Sequence, residues 1–355
     1  MSATTYKGVF STAVGEVAIK DAPIPKVRDD YVLIKVKAVA VNPTDWKSVH
    51  SSNGTCVGTK TGCDYAGVVE EVGPSVTKPL KKGDRVAGMT FGSVDPERGS
   101  FGEYALVPTH TQLVIPDDLS FEEAATLGVG ITTVGQGLYQ NLGLPLPPSA
   151  PGSQHILIYG GSTATGILGI QFAKLSGLRV IATASPHNFE YLKSLGAEEV
   201  FDYHHPAEEL GRQIRAYTGN KLTLAWDCSP TEESARLAAL SLSDAEEGAY
   251  GNLLPLNFDV VRAANPKVTK AGFTMGYSAF GHAYERAGYD FPAKPEDAVF
   301  AKGWWDLARV LLADGKVKVA KLEVNRGGAG LEGVVKGLDD LREGKVSGKK
   351  LVYTI

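Results

Sequence analysis

His155-Ile-Leu-Ile-Tyr-Gly-Gly-Ser-Thr-Ala-Thr-Gly-Ile-Leu-Gly-Ile-Gln-Phe-Ala-Lys-Leu-Ser-Gly177 is the stretch that decides the fold. Ile156 to Tyr159 is a short apolar run of the length expected for a strand buried on both faces. A turn of small residues follows, Gly160-Gly161-Ser162-Thr163-Ala164-Thr165-Gly166. Leu168, Phe172 and Leu175 then recur at i, i+4 and i+7, one apolar face of a helix that Gly177 can end. Such a strand, turn and helix form a crossover of the dinucleotide-binding kind. The turn brings backbone N–H groups close to a pyrophosphate, and the helix N-terminus adds partial positive charge. The literal G-x-G-x-x-G spacing is absent, and similar turns occur in α/β domains that bind no nucleotide. The rest of the chain has to decide the ligand.

The 355 residues can fill two domains and bury a sizeable core. A hydrophobic fraction of 43% and a charged fraction of 21% are those of an ordinary globular protein. The net charge of −4 comes without a basic run for nucleic acid or an acidic tail. No stretch approaches the roughly 18 consecutive apolar residues of a membrane span. Met1-Ser-Ala-Thr-Thr-Tyr-Lys7 lacks the apolar core of a secretory signal, so a cytoplasmic location is expected. Cys56, Cys63 and Cys228 contain no C-x-x-C pair, which argues against a disulfide framework and a structural zinc lobe.

Upstream of the opening stretch the chain reads as mostly β, with strands expected at 31–41, 67–72, around 82–88 and at 99–107. Glycine and proline punctuation between them suggests a compact barrel-like domain. Ser120 followed by Glu123 is a capping box for a helix over 121–127, and a second helix is expected over 131–142. The proline-rich stretch 144–152 reads as a surface loop. Downstream, strands at 179–185, 199–203, 222–227, 248–254 and 272–277 alternate with helical segments, as in a parallel doubly wound sheet. Helices are expected at 302–313 and 331–343, and a terminal strand at 349–355 is placed to rejoin the first domain.

Val41-Asn-Pro-Thr-Asp45, Gly62-Cys-Asp-Tyr-Ala-Gly67 and Lys82-Gly-Asp-Arg-Val86 stand in the order seen in medium-chain dehydrogenases/reductases, and almost the whole chain resembles that family. The resemblance implies an α/β protein made of a GroES-like β-barrel catalytic domain, residues 1–135 with 300–355, and a Rossmann doubly wound parallel-sheet domain, residues 136–299. The zinc branch carries Gly-His-Glu where this chain has Gly62-Cys63-Asp64, so no metal is expected. Tyr159-Gly-Gly-Ser-Thr-Ala-Thr165, Ser185-Pro-His-Asn-Phe189 and Gly196-Ala-Glu-Glu-Val-Phe-Asp-Tyr203 resemble the trans-acting enoyl reductases that serve fungal highly reducing polyketide synthases. That likeness implies reduction of an enoyl thioester on an acyl carrier domain. The implied partner is such a synthase or a synthase–peptide synthetase hybrid, and the implied state is a monomer. Leu253-Leu254 departs from the group, where a more polar pair is usual.

Ser162, Thr163, Ala164 and Thr165 are the expected pyrophosphate contacts, and Ser162 or Thr163 also suits a helix N-cap. NAD enzymes hold the ribose with an acid about twenty residues past this turn. Here Ser185, Pro186, His187 and Asn188 supply hydroxyl, imidazole and amide groups with no acid, which favours NADPH over NADH. Tyr203 is placed to pack on the adenosine or bond the phosphate, or to be a rim aromatic. Thr44, Asp45, Trp46 and Lys47 follow a strand end and are expected at the cofactor; Lys47 could also polarise a thioester oxygen or be a solvated lysine. Thr133 is the second expected donor to that oxygen, unless it bonds back to its own helical turn. Its neighbours Val134, Gly135, Gln136, Gly137 and Tyr139 are expected at the substrate. Met275, Gly276, Tyr277 and Phe280 line an acyl pocket or form a core edge strand. Leu253, Leu254, Val346 and Ser347 are expected on the cofactor by resemblance. The expected activity is NADPH-dependent reduction of an enoyl thioester, with catalysis from positioning and enolate-stabilising donors. A general quinone or enone reductase and a redox-inactive NADPH-binding docking protein are the alternatives.

Overall fold

The computed structural model describes residues 4–286 and 288–355; Met1 to Ala3 of the N-terminal stretch read above, and Ala287, lie outside them. Residues divide into two compact units, Met1–Thr132 with Tyr277–Ile355, and Thr133–Gly276.

The chain opens with an antiparallel hairpin of β1 (Thr5–Ala13) and β2 (Glu16–Pro23), then β3 (Tyr31–Ala40). Pro43 ends the extended run and starts α1 (Pro43–Val49), its fixed φ suited to a first helical turn. There follow β4 (Asp64–Val72), β5 (Arg85–Met89), β6 (Tyr104–Pro108) and β7 (Gln112–Val114), then α2 (Phe121–Ala125) and α3 (Gly128–Val134). Ser120 and Glu123 make the expected reciprocal capping box. The second unit runs β8 (His155–Tyr159), α4 (Ala164–Leu175), β9 (Arg179–Ala184), α5 (Phe189–Leu195), β10 (Ala197–Asp202), α6 (Ala207–Tyr217), β11 (Leu224–Asp227), α7 (Glu232–Ser241), β12 (Gly248–Asn252), α8 (Asp259–Ala264) and β13 (Val268–Phe273). The return carries β14 (Tyr284–Arg286), β15 (Tyr289–Phe291), α9 (Pro295–Ala313), β16 (Leu322–Val324), α10 (Gly330–Arg342) and β17 (Lys350–Thr354).

In the first unit the main sheet has the order β16-β17-β3-β4-β5-β7, with β6 also paired to β3. The terminal strand does rejoin this domain, Val352 lying opposite Ala40. Val32, Ile34, Tyr65, Val86 and Val107 fill the sheet's core, and Leu331, Val334 and Leu338 of α10 close it with Tyr353. In the second unit β10-β9-β8-β11-β12-β13 form one parallel sheet. Chain order reverses between β8 and β11, which sets a switch point at the carboxyl ends of those strands.

Four expectations change. The helix foreseen over 131–142 is α3 followed by a π-helical turn, Gly135–Asn141. The strand foreseen at 272–277 is β13, shifted to Val268–Phe273, and Gly276–Phe280 is a 3-10 turn rather than an edge strand. The strand foreseen at 99–107 begins at Tyr104, because the backbone of residue 101 bonds instead to Val9 and Thr61. Finally, 277–299 packs with the first unit and not the second: Tyr277 bonds Thr44, and Phe280 stacks near Phe91. No helix among the described residues is long and apolar enough to cross a membrane.

Candidate active site

The second unit builds its site at the turn after β8. Gly160 takes a left-handed φ of 70°, and its N–H donates to Thr183 Oγ1 at 3.1 Å. The Gly161 N–H donates to the Thr183 carbonyl at 2.9 Å. Thr163 is the N-cap of α4: its hydroxyl accepts from the Gly166 N–H at 3.0 Å and donates to the Gly160 carbonyl at 2.8 Å. Since the cap takes the third N–H of the helix, those of Ala164 and Thr165 remain for an anion. These residues therefore fit a dinucleotide pyrophosphate, with Ser162 half-buried beside them. At the end of β9 the hydroxyls of Ser185 and Tyr203 lie 3.2 Å apart, so the two expected ribose-side residues come together. Asn188 Nδ2 is 3.1 Å from His187 Nε2, Pro186 is exposed, and Tyr203 stacks on His204. Leu253 and Leu254 are half-buried just past β12.

Thr183 and Asp227 escaped the sequence reading. Asp227, fully buried at the end of β11, accepts from Ser234 Oγ at 2.6 Å, Tyr250 OH at 2.9 Å and the Ser229 N–H at 2.9 Å. Burial nevertheless lifts its carboxyl to about 6. It shapes the loop beside Gly160, whose Cα faces Ser229. Its signal was available in hindsight: an acid ending a buried strand needs partners.

Several expected substrate residues have packing roles. Tyr139 donates to the Phe172 carbonyl and meets Ser176 Oγ at 3.0 Å, so its hydroxyl serves α4. Gly137 is where the π-turn meets Trp226, since a Cβ there would lie 2.5 Å from the indole nitrogen. Thr133, Val134, Gly135 and Gln136 are buried in the same segment. Met275 and Gly276 end the second unit.

In the first unit α1 carries the other expected cofactor residues, and they diverge. Asp45 is fully buried and accepts the Asn42 N–H at 2.7 Å, closing a capping box rather than offering itself to a ligand. Trp46 lies beside Val335 and Leu338 of α10 and packs on the barrel core. Lys47 is exposed, and partial desolvation of its ammonium lowers the pKa. Thr44 instead meets Tyr277, their oxygens 2.5 Å apart. Tyr277 also lies 3.6 Å from Cys63 Sγ, receives a hydrogen bond from Arg286 at 2.9 Å and stacks on Phe91 at 4.1 Å. Phe91 and Arg286 were not foreseen. Phe280 is buried next to Phe91. Val346 packs on the barrel core and Ser347 is exposed. No group of three or more His, Cys, Asp or Glu side chains suited to a metal occurs among the described residues.

Burial raises the Asp45 carboxyl from 3.8 to about 7, helped by the nearby Asp64 charge and opposed by the Asn42 N–H. The folded chain then holds this proton more tightly than the unfolded one, so the contribution is largest below pH 4 and lost as pH rises to 7. Asp45→Asn keeps an acceptor for the cap and removes the titration. Its stability relative to wild type is expected to rise between pH 4 and 7 and level off above, read by urea unfolding across that range. A constant difference would show that Asp45 does not titrate there.

Two family models match the chain: the alcohol dehydrogenase GroES-like domain over residues 28–117 and the zinc-binding dehydrogenase over residues 164–249. Trans-enoyl reductase ACTTS2 of Alternaria alternata is 45% identical, the match covering 99% of both chains. Trans-enoyl reductase TOXD of Cochliobolus carbonum is 49% identical over 75% of this chain and 87% of its own. Among solved structures, a putative zinc-dependent alcohol dehydrogenase from Rhizobium etli CFN 42 has a TM-score of 0.78 at 23% identity, covering 99% of this chain and 98% of that one. A mycobacterial protein solved in complex with NADPH has a TM-score of 0.73 at 21% identity, covering 99% of this chain and 100% of that one. The two structures agree with the fold, and the relatives with its finer pattern: this chain is a medium-chain dehydrogenase/reductase and belongs to the trans-enoyl reductases.

Proposed function

We infer that the protein is a trans-acting enoyl reductase that uses NADPH on an α,β-unsaturated acyl thioester carried by a polyketide synthase. The observation that carries the reading is the 45% identity to a trans-enoyl reductase across 99% of the chain. When bound, the reduced nicotinamide supplies a hydride to the β-carbon of the substrate. The turn at Gly160–Gly166 and the first N–H groups of α4 hold the pyrophosphate. Ser185, His187, Asn188 and Tyr203 receive the 2′-phosphate, where a carboxylate would repel it. Lys47 and Thr133 are proposed as donors to the thioester oxygen as charge develops on it. Proton delivery to the α-carbon is left to water.

The test is NADPH oxidation with a carrier-bound enoyl substrate, run beside a quinone and beside NADH. Rapid turnover of the quinone with none of the thioester would replace this reading with a general quinone reductase. Cofactor choice has its own check. Ser185→Asp is expected to raise the NADPH dissociation constant at least tenfold, about 1.4 kcal/mol, while leaving NADH binding within twofold. Equal effects on both cofactors would remove Ser185 from the 2′-phosphate.

A further inference from the structure

β9 and β10 run side by side and parallel, with Asp202 opposite Ala184, so Ser185 and Tyr203 leave the two strand ends together. Their hydroxyls lie 3.2 Å apart. A 2′-phosphate in this corner arrives with nearly two negative charges at neutral pH. None of the four residues assigned to it brings a fixed cation. Ser185, Asn188 and Tyr203 are neutral by type. His187 Nε2 lies 3.1 Å from Asn188 Nδ2, an atom that only donates, so that nitrogen serves as an acceptor. An acid also stands close by. Asp202 ends β10, and its carboxyl is held below the usual carboxylate range, first by the His204 backbone N–H and then by the His204 imidazole. It is ionised at neutral pH, and unmasked it would repel a phosphate.

His204 stands against that charge. Its Nδ1 meets Asp202 Oδ1 at 2.5 Å, and its backbone N–H donates to the same oxygen at 3.1 Å. An ionised carboxylate only accepts, so Nδ1 carries a hydrogen. The charge of the ring then depends on Nε2, which is a lone pair without a second proton and a cationic donor with one. Among the described residues Nε2 has no hydrogen-bond partner. The imidazole stacks on the Tyr203 ring, centres 4.2 Å and planes 29° apart, a position in which a phenol face stabilises a cation. The side chain is 58% exposed, so an anion can reach it. The other titratable groups around it are His205 on its own segment, Tyr203 against its ring, and Tyr159 of β8, centred 6.2 Å from Tyr203. Burial pushes the Tyr159 phenol up, which keeps it neutral.

We propose that His204 is the cation of the 2′-phosphate site, and that NADPH binding loads a proton from solvent onto its Nε2. This rests on the NADPH reading of the cofactor. A phosphate monoester titrates at about 6 and a free imidazole at about 6.5, so at pH 7.5 the two hold almost no proton between them. Brought together they retain one, which turns the Nε2 lone pair into a donor to the phosphate. The hydroxyls of Ser185 and Tyr203 bond the same group. NADH has a plain hydroxyl in place of the phosphate and recruits no proton. Selectivity for NADPH therefore weakens as pH rises, a dependence that a lysine or arginine in this place would not give.

Calorimetric titration of the full chain at pH 7.5, in two buffers of different ionisation enthalpy, measures the proton uptake. NADPH is expected to take up more than about half a proton per site, and NADH none. His204→Gln keeps a neutral donor in this exposed turn. It should abolish the uptake, raise the NADPH dissociation constant about tenfold at pH 6.5, and leave NADH within twofold, with unchanged thermal melting. His204→Lys supplies a fixed cation and should restore NADPH affinity with no uptake. In His187→Gln the uptake should persist. Preferential NADPH binding without proton uptake by the wild type would overturn the role of His204 while leaving the cofactor reading intact. Uptake that survives in His204→Gln, or that is lost in His187→Gln alone, would overturn it as well. If the wild type did not prefer NADPH, the cofactor reading would fall and this proposal with it.

Discussion

Lys350→Met is expected to destabilise the first unit by about 3–5 kcal/mol, the usual result of removing one partner from a buried ion pair. Lys350 Nζ donates to Asp64 Oδ2 at 2.8 Å and to Asn42 Oδ1, and the two charged side chains are 3% and 0% exposed. Asp64 Oδ1 accepts the Val129 N–H at 2.6 Å. Without the ammonium, a carboxylate stays buried with a single backbone donor. The same substitution frees Asn42, the residue before α1, so Thr44 and Lys47 lose part of their support. Asp64→Asn alone is expected to cost a similar amount, because it strands the lysine. The double variant Lys350→Met with Asp64→Asn should recover most of the loss, since Asn can still accept from Val129 and no charge is left unpaired. Denaturant unfolding of the four proteins gives the coupling directly. Additive losses would mean that the pair contributes no mutual stabilisation.

That pair also shows where sequence reading stops. Asp64 was legible as a family mark in Gly62–Gly67 and Lys350 as part of a terminal strand, yet nothing local joins residues 286 positions apart. The Rossmann half was read well because its signals are local: the apolar run of β8, the small-residue turn and the helical face of α4 lie within one stretch. Ser185 and Tyr203 followed from the same register, each ending a strand next to β8 or one removed. The barrel was harder. The hairpin β1–β2 carries no turn signal stronger than Val14-Gly15, too little to mark two strands. On α1 the residue types suited a ligand, but a seven-residue helix points Thr44, Asp45 and Trp46 in three directions, and only packing tells which is which. Tyr277 and Arg286 acquire their chemistry from Thr44, more than 230 positions earlier, so no spacing could reveal them. Tyr139 and Gly137 looked like pocket residues because burial and site-lining favour the same residue types.

Gly166→Val separates the two jobs that glycines perform in the opening stretch. A Cβ at Gly166 would stand 2.4 Å from the Gly160 carbonyl oxygen, 2.9 Å from Gly161 Cα and 3.0 Å from the Gly161 carbonyl carbon. All three are backbone atoms and cannot swing aside. The Gly160 carbonyl is already fixed by the Thr163 N–H at 3.0 Å and hydroxyl at 2.8 Å, so a side chain must open the turn itself. The donors proposed for the pyrophosphate then scatter, and NADPH affinity is expected to fall about a thousandfold, about 4 kcal/mol. Gly169, one turn along α4, gives the contrast. Its Cβ would strike the Trp226 ring at 2.5 Å, within the packed interior of the second unit. Gly169→Ala is therefore expected to cost about 1–3 kcal/mol of stability by overpacking, with NADPH binding by the folded protein unchanged. Thr163→Ala, which removes the cap and leaves the turn backbone free of overlap, should cost about 1 kcal/mol and weaken NADPH far less than Gly166→Val. Fluorescence titration with NADPH, paired with thermal melting of each variant, ranks the three. If Gly166→Val bound NADPH like the wild type, the turn would not be the phosphate site, and the strand–turn–helix that organises this half of the chain would be a matter of packing alone.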